Sequence, residues 1–201
     1  MKIEKYKVSI ELQEPVLGTV PKNKEVYASY IATRAQKLEN GAEEIATVQE
    51  VEEKGWTGFH QDETGIFVYD YYIRGFLKNA ANVLKEQTGI KNSRSKIDNL
   101  VFVFPRRNYW SRDGKILKSA DGVIERPLRA QTMQGPRVTL ARSDYLSEGS
   151  SLEFEIRVIQ GKEKIDKGFL ESILDYGQLC GLGQFRNGSY GRFSYKLKGE
   201  K

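Results

Sequence analysis

The residues best suited to bind or transform a ligand are concentrated near the end of the sequence, in the segment 181–192, GLGQFRNGSYGR. This segment contains four glycines and two arginines. Glycine lets backbone N–H groups approach a ligand closely, and arginine offers a planar pair of donors to a phosphate group. The composition therefore predicts a loop that holds a sugar-phosphate backbone. It fits equally well a simple turn between a helix and a strand, with two solvated arginines.

A second basic segment covers residues 106–142, which carry seven arginines and two lysines against three acidic residues. Aromatic residues lie among these cations, and a nucleobase can stack on an aromatic ring while guanidinium groups hold the phosphates. The excess of arginine over lysine favours bidentate phosphate contacts. The alternative is a hairpin whose aromatic rings pack on its own core. The predicted nucleic-acid-binding residues of this segment are Arg106, Arg107, Tyr109, Trp110, Arg126, Arg129 and Arg137.

Catalytic chemistry has one candidate, the single histidine of the sequence, His60. An imidazole can act as a general base near neutral pH, but it needs an acid partner and a group that stabilises the pentavalent phosphate. Tyr69 and Lys78 are available for these roles, although nothing in their spacing requires them. The alternative is a surface or structural histidine.

Other catalytic and metal-binding patterns are missing from the sequence. It has no Walker loop, no Gly-x-Ser-x-Gly elbow and no His-Glu-x-x-His helix. Cys180 is the single cysteine, which excludes an intramolecular disulfide and, with one histidine, a Cys/His zinc site. The pair Asp62 and Glu63 fits an acidic loop, and Asp113 and Asp121 fit Asp-Gly turns, better than a divalent-ion site. The sequence therefore predicts no metal and no cofactor, and an enzyme is the minority interpretation.

Charge is distributed unevenly along the 201 residues. Residues 1–73 contain 8 basic and 13 acidic residues, a net charge of −5, whereas residues 74–201 contain 24 and 14, a net charge of +10. A cluster of cations attracts a polyanion because it neutralises phosphates and releases their counterions. This distribution favours nucleic acid as the ligand. The alternative is a basic surface that serves only solubility.

Length and hydropathy predict one domain, spanning 1–201, in the cytoplasm. The sequence shows neither a signal-peptide pattern nor a continuous apolar stretch of about 18 residues, so no membrane partner is expected. Two segments, about 15–66 and 106–150, interrupt the regular pattern and are predicted insertions. The first is expected to contain a short helix over 25–38, and the second is expected to form a β-hairpin arm.

The regular elements follow one another in a diagnostic order. Alternating apolar residues predict strands over 2–12, 100–104 and 151–160, and a last strand after the glycine-rich segment. Apolar residues at helical spacing predict one helix capped by Asp70 and ended by Gly89, and another over 168–180. The order strand, helix, strand, strand, helix, strand is that of a ferredoxin-like (RRM-like) βαββαβ core. This is an α+β fold in which two helices cover one face of a four-stranded antiparallel sheet.

Two stretches share their pattern and their order with one known family. One is the glycine-rich segment 181–192, between the last helix and the last strand. The other is Tyr72-Ile-Arg-Gly-Phe-Leu-Lys78, at the opening of the first helix. Together they resemble the RAMP superfamily of CRISPR-associated proteins, in particular its backbone-forming, crRNA-binding members. A stand-alone or virus-encoded relative fits the resemblance equally well.

The resemblance implies single-stranded RNA held along the sheet, in a protein that is a repeating subunit of a ribonucleoprotein. The partners would be the RNA and other subunits or copies of the same chain. Because some RAMP proteins cleave RNA with a histidine, a metal-independent endoribonuclease using His60 is the second hypothesis. A structural protein whose basic face meets an acidic protein is the third. The RNA contacts implied by the resemblance are Arg74, Lys78, Gln184, Arg186, Asn187 and Arg192.

Overall fold

The computed structural model describes residues 2–22, 55–132, 135–161 and 165–200, and at 128–132, 135–139 and 200 it describes the backbone only. The predicted helix over 25–38 lies outside the described residues.

The chain divides into two compact units. The first, here called the core unit, comprises Met1–Val16, His60–Ser119 and Ser147–Lys201. The second, here called the hairpin unit, comprises Leu17–Phe59 and Ala120–Leu146. Both segments of the hairpin unit fall within the predicted insertions, and the single domain over 1–201 stays a prediction.

Strands and helices mix along the described chain, as the predicted α+β class requires. The strands are β1 (Ile3–Leu12), β2 (Val16–Leu17), β3 (Val20–Pro21), β4 (Thr57–Gly58), β5 (His60–Gln61), β6 (Ile66–Tyr69), β7 (Val101–Phe104), β8 (Arg107–Arg112), β9 (Lys115–Ile116), β10 (Gly122–Thr132), β11 (Gly135–Leu146), β12 (Ser151–Ile159) and β13 (Phe193–Glu200). The helices are α1 (Asp70–Val83), α2 (Lys85–Thr88), α3 (Ser93–Leu100) and α4 (Lys167–Cys180), with a 3₁₀ turn at Arg186–Gly188.

The core unit is built on a sheet whose strands run in the order β13-β1-β12-β8-β6-β5, with β7 also paired to β12 and β9 to β8. Side chains alternate between the two faces of a strand, so Tyr6, Val8 and Ile10 of β1 are buried while the residues between them face away from the core. Both long helices contribute apolar stripes at helical spacing to the same core. The stripe residues are Ile73, Phe76, Leu77, Ala80 and Ala81 of α1 and Phe169, Leu170, Ile173 and Leu174 of α4.

The two long helices approach each other closely at Gly177 of α4. Phe76 of α1 and Phe193 of β13 meet edge to face there, with ring centroids 5.9 Å apart. A Cβ on Gly177 would lie 2.6 Å from Cζ of Phe76 and closer still to Phe193. The absence of a side chain at Gly177 therefore lets the last helix pack against the first.

The first long helix begins and ends differently from the prediction. Asp70 is the first residue of α1 rather than its cap, and Tyr69 occupies the capping position without a side-chain hydrogen bond. The helix ends at Val83, and the single turn α2 continues to Thr88. Gly89 follows with φ of 66°, in the left-handed region that glycine favours.

A further helix, α3, lies between the first long helix and β7, where the sequence predicted no element. Ser93 and Ile97 are its buried residues, and the Ser93 hydroxyl donates a hydrogen bond to the Ala81 carbonyl at 2.7 Å. Two inward-facing residues give too weak a periodic signal to predict a helix.

Of the two predicted Asp-Gly turns, one is confirmed. Asp113 and Gly114 have φ of 50° and 72° and join β8 to β9, as Asp-Gly does in tight hairpins. Gly122 instead opens β10, where it pairs with Tyr145. The hairpin of β10 and β11 is therefore shorter than the predicted arm, because β8 belongs to the sheet of the core unit.

Replacing Gly177 by alanine should destabilise the core unit. An overpacked core position costs up to about 3 kcal/mol, more than the gain of about 1 kcal/mol from replacing glycine in a helix. Gly75 of α1 is the matched control, because a Cβ there meets nothing within 4 Å. We expect Gly75→Ala to raise the free energy of unfolding by about 0.5–1 kcal/mol and Gly177→Ala to lower it by about 1–2 kcal/mol in urea denaturation. Equal effects of the two substitutions would contradict the close approach.

Candidate nucleic-acid interface

Arg74 and Lys78, the predicted contacts of the first helix, lie on the outer face of α1. Because α1 buries the stripe on its other side, positions 71, 74 and 78 form a line along the surface. Tyr71 begins this line and is 42% exposed. At 1.5 Å of rise per residue, the line from Tyr71 to Lys78 is about 10 Å long.

A carboxylate lies among the cations of this surface. Lys78 Nζ donates to Asp98 Oδ1 of α3 at 3.0 Å. This hydrogen bond lowers the pKa of Asp98 below its usual range, and the charges of Arg74 and Arg94 act in the same direction. Asp98 therefore stays ionised, and three cations are close enough to lower its pKa. We call Arg74, Lys78 and Arg94 the helical basic patch; Arg94 was missed because α3 was not predicted.

Two glycines of the glycine-rich loop are required by the way the loop closes on itself. The Leu182 N–H donates to the Gly191 carbonyl at 2.8 Å, which closes the base of the loop. A Cβ on Gly191 would collide with the Leu182 carbonyl oxygen, and a Cβ on Gly181 would collide with that of Tyr190. Both glycines also have φ near 75°, at 76° and 74°. Close approach of the backbone to a ligand is therefore not needed to explain them.

The tip of the loop is more open to solvent. Phe185 is 43% exposed, and its ring centroid lies 5.8 Å from that of Tyr190. A Cβ on Gly188 would lie 2.7 Å from Cδ1 of Phe185, so this glycine makes room for the ring. Asn187 is exposed and Gln184 is half-buried. Both predicted polar contacts therefore lie at or beside the tip.

Arg186 links the loop to the first helix. Its Nη1 donates to Asn79 Oδ1 at 3.3 Å and lies 3.9 Å from the Cys180 sulfur. Asn79 directly follows Lys78 in α1. The structure thus places the tip of the glycine-rich loop against the first helix.

Arg192 has a different environment. Its Nε donates to the Leu179 carbonyl at 3.0 Å, at the C-terminal end of α4, where a cation complements the helix dipole. Its own carbonyl accepts the Gln13 N–H at 2.8 Å, and the neighbouring Gly191 N–H donates to the Pro15 carbonyl at 2.8 Å. Arg192 therefore fastens the base of the loop to the segment that follows β1.

Aromatic rings cover one face of the small sheet formed by β5, β6 and β8. His60 pairs with Phe67 across the strands, and Phe67 pairs with Tyr109. Their ring centroids are 5.6 Å apart in both pairs. Tyr69 lies two residues further along β6 on the same face, 4.7 Å from His60 and 5.0 Å from Phe67. Tyr71 stacks on Tyr69, with centroids 5.2 Å apart and an angle of 18° between the rings.

We call these five rings the aromatic face. The predicted cations Arg106 and Arg107 lie against it, with their guanidinium carbons 5.8 Å from the Tyr69 centroid and 5.2 Å from the Phe67 centroid. Such placements are attractive because the ring face is electronegative. The sequence indicated Tyr109 as a nucleic-acid contact and Tyr69 only as a candidate partner of His60, and it missed Tyr71, which lies in the first turn of α1.

Asp62 anchors the aromatic face from one side. Its Oδ2 accepts hydrogen bonds from the Tyr109 hydroxyl and from Arg107 Nη1, both at 2.8 Å. Partial burial acts to raise the pKa of Asp62, but the hydrogen bonds from Tyr109 and from the Gly65 and Thr64 N–H groups outweigh it and lower the pKa. The carboxylate therefore holds two of the predicted residues in fixed positions.

His60 is half-buried within the aromatic face, and this burial lowers its pKa. Tyr69, the residue considered as its catalytic partner, meets it through a ring contact. Lys78, the other residue considered, forms an ion pair with Asp98. These contacts fit a structural histidine, and a catalytic His60 stays a prediction.

The remaining predicted residues are Trp110 of the core unit and three arginines of the hairpin unit. Trp110 is fully buried, with 0% of its surface exposed, so its ring packs in the core rather than lying open to a base. Arg126 lies in the hairpin unit, where its Nη2 donates to the Ser143 hydroxyl at 3.0 Å. Arg129 and Arg137 lie on β10 and β11, and their side chains are outside the described residues.

The face of the main sheet opposite α1 and α4 carries a groove of about 800 Å³ that the sequence did not single out. Lys7 and Lys198 are directly opposite each other across β1 and β13 at this groove. On its other side the guanidinium carbon of Arg157 lies 4.1 Å from the centroid of Phe104, which is 40% exposed.

Within the described ranges, no group of three or more His, Cys, Asp or Glu side chains is placed to hold a metal ion. The described helices also include none that is long and apolar enough to cross a membrane.

No protein-family model and no curated protein sequence matches this chain. The fold resembles that of a chain in the cryo-EM structure of the Type III-B Cmr-beta bound to cognate target RNA, with a TM-score of 0.57 and 13% identity over 100% of this chain and 61% of that chain. A chain of a Type IV-B CRISPR complex gives a TM-score of 0.47 and 10% identity over 96% and 90% of the two chains. The protein thus shares its fold with this chain of the Cmr-beta structure and spans under two thirds of its length.

The buried position of His60 should make the stability of the core unit depend on pH. The ordinary pKa of the imidazole is 6.5, and burial lowers it in the folded protein. Protonation therefore favours the unfolded chain as the pH falls below 6.5 and through the lower, folded-state pKa. His60→Phe keeps a ring but cannot be protonated. We therefore expect its free energy of unfolding to fall less than that of the wild type when the pH is lowered from about 7.5 to about 5.5. An identical loss in both proteins, measured by denaturation, would show that His60 is not buried as described.

Proposed function

We propose that this protein binds single-stranded RNA through its sugar-phosphate backbone, without cleaving it, as a RAMP-like subunit of a CRISPR-type ribonucleoprotein. The observation that carries the proposal is the contact between Arg186 and Asn79. It places the glycine-rich loop against α1, the helix that also carries Arg74 and Lys78.

Strand order supports a ferredoxin-like core. Four strands of the core unit, β13, β1, β12 and β7, are antiparallel neighbours in that order. The helix α1 lies between β1 and β7 along the chain, and α4 lies between β12 and β13. This is the βαββαβ sequence with its first and third strands at the centre of the sheet. The likeness to a chain of an assembly bound to target RNA supports the same interpretation.

The chemistry of the surface suits phosphate groups better than a neutral ligand. Both contacts of Arg186 use its Nη1 group, whereas a guanidinium has five N–H donors, so the fork keeps the capacity for a bidentate phosphate contact. Lys78 is positioned by Asp98, and the two arginines near this carboxylate leave an excess of positive charge. An RNA backbone would supply the balancing charge.

Removing one cation at a time should weaken RNA binding. Hydrogen bonds to charged groups are worth about 1.5–3 kcal/mol, so we expect Arg74→Ala, Lys78→Ala and Arg186→Ala each to reduce the affinity for oligouridylate by roughly 10- to 100-fold. Lys85→Ala, at an exposed position of α2, removes the same charge elsewhere and should change the affinity by less than about twofold. Melting temperatures establish that the variants are folded. Unchanged affinity in all three test variants would refute the proposed surface.

The salt dependence of binding tests the same surface independently. Each phosphate contact with a single strand contributes about 0.7 to the slope of log affinity against log salt. The triple variant at Arg74, Lys78 and Arg186 should therefore show a slope smaller than that of the wild type by about 2.

Competition with polyglutamate distinguishes RNA from an acidic protein partner. Equal affinity for the two polyanions would favour the hypothesis of a structural protein whose basic face meets an acidic protein.

A further inference from the structure

We propose that the aromatic face provides a stacking site for one unpaired base of the bound strand, with Tyr71 as its platform. This inference rests on the function proposed above and adds a base-binding position to a surface that otherwise holds phosphates.

Tyr71 is both accessible and held in place. The residue is 42% exposed, yet its ring lies nearly parallel to the ring of Tyr69, with 18° between the planes. Tyr69 in turn packs edge-on against His60 and Phe67. Because two layers of rings support it, the platform keeps its orientation without a ligand, which reduces the entropy lost on binding.

The platform is continuous with the phosphate surface. Tyr71 and Arg74 are three residues apart on the outer face of α1, so their side chains are neighbours. Lys78 follows one further turn along the helix. A strand whose phosphates follow this line would bring a base to Tyr71 at the N-terminal end of α1.

The charges around the aromatic face favour a nucleotide over an apolar protein segment. Arg106 and Arg107 lie over the rings of Tyr69 and Phe67, and Asp62 is the carboxylate that pairs with Arg107. Arginines beside the inner rings of a stack that ends at the exposed Tyr71 suit a nucleotide, because a guanidinium can hold the phosphate while the outer ring holds the base. Stacking of this kind tolerates any base, which agrees with recognition through the backbone.

The test compares two strands that differ only in their bases. One is an oligouridylate of about 12 nucleotides and the other is an abasic ribose-phosphate strand of equal length. We expect the wild type to prefer the strand with bases by roughly 5- to 150-fold, the range measured for one stacked base. Tyr71→Ala should remove this preference and leave the affinity for the abasic strand unchanged.

Two variants serve as matched controls. Tyr71→Phe keeps the ring and should keep the preference for bases. Phe104→Ala changes a residue of similar exposure, 40%, that also lies beside an arginine but on the sheet face opposite α1 and α4, and it should keep the preference too. With 2-aminopurine in the strand, fluorescence should be quenched on binding to the wild type and to Tyr71→Phe but not to Tyr71→Ala.

The outcomes separate this inference from the function on which it rests. If the wild type binds both strands equally and Tyr71→Ala changes neither affinity, the platform is wrong while backbone binding stands. If Tyr71→Ala weakens both strands equally, Tyr71 supports the phosphate surface and the inference is also wrong. If the wild type binds neither strand, the proposed function itself fails.

Discussion

The close approach of α4 to α1 at Gly177 is the constraint on which the candidate site depends. Phe76 and Phe193 occupy the space where a side chain at Gly177 would lie, so the two helices are held at short distance. Since α4 ends three residues later at Cys180, the glycine-rich loop emerges beside the first helix. This placement brings Arg186 to Asn79. A packing contact in the core thereby sets the position of the loop arginine beside the helix that carries Arg74 and Lys78.

Two carboxylates have a comparable role on the surface itself. Asp98 holds Lys78 against α3. Asp62 accepts hydrogen bonds from Arg107 and from Tyr109, one of the rings of the aromatic face. Each removes some positive charge, which lowers the attraction for a polyanion. In return each fixes long or mobile side chains before a ligand arrives, so that less rotamer freedom is lost on binding. The arrangement favours defined contacts over the greatest possible charge.

Sequence reasoning predicted the features that depend on local pattern: the α+β class, the two long helices, the position of the glycine-rich loop and the turn at Asp113. It could not predict features set by pairing between distant strands. The pairing of β6 with β8 decides that Tyr109 faces outward and Trp110 faces the core, and neighbouring aromatic residues give no sign of which is which. The sequence likewise suggested that the loop glycines allow close approach of a ligand. The structure shows instead that backbone carbonyl groups leave no room for a side chain at Gly181 and Gly191, and the positions of these carbonyls cannot be inferred from the sequence.

Cys180 lies where its chemical reactivity depends on the position of Arg186. Its thiol is half-buried at the end of α4, within 3.9 Å of the guanidinium that links the loop to the first helix. Because it is the single cysteine of the sequence, alkylating reagents and thiol-reactive dyes attach at one place without prior mutagenesis. Movement of Arg186 toward a bound strand would change access to the sulfur. The rate of thiol modification would therefore report a movement of Arg186 in the unaltered protein.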